Sequence, residues 1–217
     1  MSNEEIIEII KQHVKSVCEN DSSGHDWWHI HRVYNNAILI NKEEKANEFI
    51  ITLIVLMHDL YDEKFYSGDQ KIALKNLLQE LNIYNSIPKE DITNIIDSCV
   101  NLAFSKSITE KHELSKEGKI VQDADRLDAL GAISIARTFT YGGDKGLPIY
   151  DPNITKVLDE KEYKKTRSKT SINHFYDKVL KVKNLMNTDT AKRIAIHRHE
   201  FVEKYLKEFF DEWNGIC

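Results

Sequence analysis

Between Phe49 and Met57 the chain runs through nine residues of which only Thr52 is polar, and the next two residues are His58 and Asp59. A stretch that is apolar on nearly every side must be buried on every side. It is therefore a central helix or an interior strand. The lack of turn residues across it favours a helix from about residue 43 to 60. The rest of the chain agrees, because 217 residues carry only 8 Gly and 3 Pro. That is too little punctuation for a strand-rich fold. An ionised Asp at the end of such a helix is costly unless it is paired or ligating. The His58-Asp59 step is thus where ordinary core chemistry stops.

Helical spacing recurs along the chain. Ile6, Ile7, Ile10, Val14 and Val17 predict a helix over 3–19, and a second is predicted over about 26–40. Others are expected over 69–82 and 89–104, the latter opened by Pro88 with Glu90 and Asp91 in its first turn. The apolar period from Lys116 to Tyr141 reads as one long helix ending at Gly142-Gly143. Residues 142–153 hold three of the glycines and two of the prolines, which predicts a long loop. Lys161, Lys164, Lys165, Arg167 and Lys169 follow and read as a solvated loop. Two final helices are expected over 168–187 and 189–213. The fold class is all-α, a single-domain helical bundle of roughly eight helices.

A formal charge of −5 gives no basic footprint for DNA or RNA. The chain has no long apolar segment for a membrane and no apolar leader at its start. Cys18, Cys99 and Cys217 are odd in number and widely spaced, which supports neither a disulfide framework nor a zinc ribbon. A reduced, cytoplasmic setting is expected. Nucleic acid and membrane are excluded as partners. A homodimer is compatible with a helical bundle of this kind.

Polar clusters interrupt the helices at three places. In GHDWWHIHRV, residues 24–33, His25 and His29 are four apart and share a helix face. In LMHDLYDEKF, residues 56–65, the His-Asp pair follows the most apolar run of the chain. In QDADRLDALGA, residues 122–132, Asp123, Asp125 and Asp128 lie within an apolar pattern, with Arg126 able to offset part of their charge. Imidazoles and carboxylates together make a mixed N/O site for one divalent ion: Mn, Ni, Co, Fe or Zn, with Mg also compatible. Such an ion lowers the pKa of water. Taken singly, each residue has a plainer reading. Asp123 and Asp128 read as structural, and Trp27 and Trp28 read as core.

The ordered pattern H…HD…D on helices resembles the HD-domain superfamily of metal-dependent phosphohydrolases. The first histidine of that family stands in an HxxRV step, here His29 to Val33, and this selects His29 over His25. The dipeptide is His58-Asp59. The last ligand follows a small residue, which selects Asp125 after Ala124. The runs around Asp59-Asp62-Lys64, QDADRLDALGAISIARTF and SINHFYDKVLKV are similar to the small bacterial YpgQ/YedJ-like subgroup. The resemblance covers residues 24 to 210 and implies an HD-type domain over 1–217. Its metal-ligand core would span about 24–130, with C-terminal helices over about 165–213 packing on it.

The resemblance implies His29, His58, Asp59 and Asp125 as metal ligands. Asp62 would be the general acid or base, with Glu63 as its competitor. Lys64 and His25 would contact phosphate, and Arg32, Arg126, His174 and Lys178 are substrate-binding candidates. Two-metal members need extra histidines between the dipeptide and the last Asp. Here only His112 lies there, so one ion is expected. The expected activity is hydrolysis of a small phosphorylated substrate, a nucleotide, with cleavage of a nucleoside triphosphate to monophosphate and pyrophosphate preferred. The alternatives are a nucleoside monophosphate phosphatase and a non-catalytic nucleotide-sensing module.

Overall fold

A computed structural model describes residues 1–18, 26–61, 66–102 and 113–216. Among these residues all the regular structure is helical, with ten α-helices and two short 3-10 helices and no strand. The fold is the expected all-α one. The trace groups into two compact units, Met1–Asp125 and Arg126–Cys217. Each is described by itself.

In the first unit α3 (Glu48–Met57) is the axis, and every residue from Ile50 to Met57 is buried. It starts at Asn47, whose side chain accepts from the amides of Phe49 and Ile50. α1 (Asn3–Cys18), α2 (Trp27–Glu44) and α5 (Lys89–Asn101) all pack on it. α1 contributes Ile6, Ile10 and Val14, one stripe at helical spacing. α4 (Gln70–Glu80) is capped by Asp69 and packs on α5. The core of this unit is therefore built on one largely apolar helix with amphipathic helices packed against it.

The sequence period predicts one helix from Lys116 to Gly142-Gly143, but the structure has two. α6 (Lys116–Asp128) stops, and α7 (Ala132–Asp144) begins after a break at Ala129–Gly131. Gly131 takes φ 81° and ψ −157°, a conformation essentially closed to residues with a Cβ. The apolar spacing runs across this break, so periodicity alone cannot reveal it.

In the second unit α9 (Ser171–Asp177) is followed by a 3-10 helix over Val179–Leu185, where one helix over 168–187 was expected. Both pack with the long α10 (Asp189–Trp213) or with α7. Phe175 sits between Phe139 and Tyr205 at ring-centroid distances of 6.0 and 6.1 Å. Gly142 and Gly143 lie within α7, so the loop starts later than expected. Its carbonyls at Pro148 and Ile149 receive the first two amides of α9. The basic run is not all loop either. α8 (Glu160–Thr166) is nucleated by a capping box between Asp159 and Glu162.

Replacing Gly131 by Ala forces a Cβ into that backbone conformation, 3.3 Å from the Arg198 side chain. The expected loss is about 2 kcal/mol of stability in urea denaturation. An unchanged midpoint would show that the break tolerates a side chain.

Candidate metal centre

Asp26 caps α2 by accepting from the amide of His29 at 2.9 Å. His29 therefore stands in the first turn of a fixed helix, and only 1% of it is exposed. Its Nε2 lies 3.3 Å from Asp59 Oδ2 and 3.5 Å from Asp125 Oδ1.

His58 and Asp59 lie in the turn that ends α3, closed by the Leu60 amide on the Met57 carbonyl at 3.3 Å. In a continuing helix adjacent side chains point 100° apart. Here His58 Nε2 comes within 3.5 Å of Asp59 Oδ1. His58 Nδ1 is 2.8 Å from the Val55 carbonyl. A carbonyl only accepts, so Nδ1 carries the proton and Nε2 keeps its lone pair. That Nε2 is buried and has no hydrogen-bond partner among the described residues.

Asp125 comes from α6. The Asn36 side chain on α2 donates to the carbonyl of Ala124 at 3.2 Å, which ties the neighbouring backbone to α2. Asn36 lies two turns from His29 on the buried face, so the clamp aligns the two ligand-bearing helices. The other aspartates differ. Asp123 is fully buried. Asp128 pairs with Arg137 at 2.6 Å in the second unit.

One ligand atom each from His29, His58 and Asp125 lie within 4.8 Å of one another. Two imidazole nitrogens and two carboxylates thus converge. An orphaned, lone-pair-bearing Nε2 beside carboxylates is the donor set for a divalent cation, and its second nitrogen is oriented by a backbone carbonyl. The residues fit one.

Of the other sequence-predicted residues, His25, Asp62, Glu63 and Lys64 lie outside the described residues, as does His112. Arg32 is half-buried on α2, one turn from His29. In the second unit, the Arg126 guanidinium donates to the Leu185 carbonyl. His174 and Lys178 flank the end of α9. His174 Nδ1 lies 3.2 Å from the Tyr163 hydroxyl. The Arg167 guanidinium stands 5.3 Å from the Tyr163 ring centroid, on a backbone with φ 59°. Burial, reinforced by the positive charges of Lys178 and Arg167, pushes the His174 imidazole down to about 3. Asn36, Tyr163 and Arg167 have no motif of their own, and sequence reading assigned none of them to a site. For Asn36 the one available signal was a polar residue on an apolar helix face.

Comparison with known proteins places these features in a family. The HD domain matches residues 27–130. The Bacillus subtilis protein YpgQ is 36% identical over 210 residues, which cover 96% of this chain and 94% of that one. The crystal structure of an HD-superfamily hydrolase from Bacillus thuringiensis superposes with a TM-score of 0.77 at 40% identity, covering 98% of this chain and 99% of that one. The structure of Bacillus subtilis YpgQ in complex with ADP superposes with a TM-score of 0.74 at 33% identity, covering 98% and 97%.

The His174 environment sets a pH response. Between about 3 and the ordinary value of 6.5 the unfolded chain binds a proton that the folded chain refuses. This contribution to stability is therefore complete above 6.5 and is lost as pH falls towards 3. Denaturation at pH 7.5, 6 and 5 should show the loss approaching ~1 kcal/mol per pH unit. His174→Gln should flatten it, and equal slopes in the two proteins would disprove this reading.

Proposed function

The chain belongs to the HD domain superfamily, and on that premise we propose that it is a metal-dependent phosphohydrolase acting on a small phosphorylated substrate, a nucleotide. The observation that carries the reading is the convergence of His29, His58 and Asp125 ligand atoms within 4.8 Å, with Asp59 beside them. These four residues hold one divalent ion. Bound there, such an ion acts as a Lewis acid and lowers the pKa of water.

The protein's own groups do the rest. The Val55 carbonyl holds the proton on His58 Nδ1 and keeps Nε2 free to ligate. Asp26 and Asn36 fix the first turn of α2 and the backbone next to Asp125. On sequence alone, Asp62 takes and returns the proton at the reacting centre, and Lys64 and His25 bind phosphate oxygens. Arg32, Arg126, His174 and Lys178 are further contacts to the substrate, also on sequence. A nucleotide is supported by the ADP complex of Bacillus subtilis YpgQ. Cleavage of a nucleoside triphosphate to monophosphate and pyrophosphate is the preferred reaction.

The test is release of phosphate and pyrophosphate from a nucleotide panel, after chelation and with Mn, Ni, Co, Mg or Zn restored. Restored pyrophosphate release is expected, lowered on the order of 10³-fold in kcat by Asp59→Ala. Release of phosphate from monophosphates alone would redirect the reading to a monophosphatase. No turnover with any ion, while calorimetry still detects binding, would leave a sensor. In the same calorimetry His58→Ala should weaken Mn binding at least about tenfold. Unchanged affinity in that variant would remove His58 from the ligand set.

A further inference from the structure

The tandem tryptophans at the start of α2 divide their roles. Trp27 is half-buried and lies under the Lys15 ammonium at 4.7 Å, so it helps seat α1 against α2. Trp28 was expected in the core, yet 62% of it is exposed. An indole is the largest apolar side chain, and leaving it in water forgoes most of its contribution to folding. Burial among the described residues therefore gives little reason for a tryptophan at this position.

Its surroundings hold it in one orientation. The His31 ring meets it edge-on, with centroids 6.0 Å apart and planes at 89°. His31 is in turn held by Asn35, whose Nδ2 lies 3.2 Å from His31 Nε2. Trp28, His31 and Asn35 fall at i, i+3 and i+7, one exposed stripe of α2. The stripe is thus a preorganised aromatic surface, and Trp28 precedes His29 of the metal centre by one residue.

We infer that Trp28, oriented by His31, is the platform on which the base of a nucleotide stacks. The inference rests on the nucleotide reading given above. A flat indole face accepts any base and gives affinity with little base selectivity, while the phosphates make their contacts elsewhere. His31 acts through Trp28 and is a positioning residue.

ADP and inorganic pyrophosphate share the diphosphate, and only ADP carries a base. Their affinities are measured by calorimetry on the full chain with Mn present. Trp28→Ala should weaken ADP about tenfold and leave pyrophosphate within about twofold. Trp28→Phe, which keeps an aromatic face, should retain most of the ADP affinity. The inference fails if Trp28→Ala leaves ADP binding intact, if the loss is shared equally by pyrophosphate, or if the wild-type chain binds no ADP. Turnover is a separate readout. ADP binding through Trp28 without hydrolysis of any nucleotide would sink the hydrolase reading and keep this one.

Discussion

The last four carbonyls of a helix have no regular amide partners, and in α3 they belong to buried residues. Three are served in different ways. Ile54 receives the Cys99 thiol, Val55 receives the His58 ring, and Met57 receives the Leu60 amide. The second of these closes the helix and also decides the tautomer of His58. The aim of Nε2 follows from it, and so does the placement of Asp59 in the next position of the turn. α2 and α6 then need only be held at the correct height, which Asp26 and Asn36 do. The geometry of the candidate centre is thus an outcome of how one buried helix ends.

Much of this could be read from the chain itself. A run of nine residues without a charge, followed at once by His-Asp, is local information. So is the helical period of α1, α4 and α5. What escaped reading was set by the surroundings. The spacing through Ile133, Ile135 and Phe139 continues the period of α6, so nothing in it announces that Gly131 turns the chain. The capping box of α8 is written as Asp159 and Glu162, but the lysines between and after them suggested a loop. Trp28 looked like core because tryptophan usually is; only the direction of its place on α2 shows otherwise.

The second unit is built on a different logic from the first. Its buried side chains are mostly aliphatic, but Phe175 among them meets half-buried Phe139 and Tyr205, and Tyr150 is set edge-on against Phe210 and the exposed Trp213. Its polar framework is anchored on buried Asp177, which accepts from the Leu158 amide and the Ser168 hydroxyl, both at 2.7 Å. That single carboxylate ties the segment before α8 and the segment after it to the end of α9. Ser168 is thereby accounted for by structure alone. His174, kept neutral by burial, and Lys178 leave the same short helix, with the Tyr163 hydroxyl on the His174 ring and Arg167 over the Tyr163 ring.

Cys99 is packed on α3 with its sulfur on the Ile54 carbonyl, and burial pushes its pKa far above the ordinary thiol range, with the nearby Asp59 charge adding to the effect. A thiol held in this way stays protonated and cannot serve as a soft donor. Oxidants and alkylating reagents, which act on thiolate, therefore find none at this wall of the first unit.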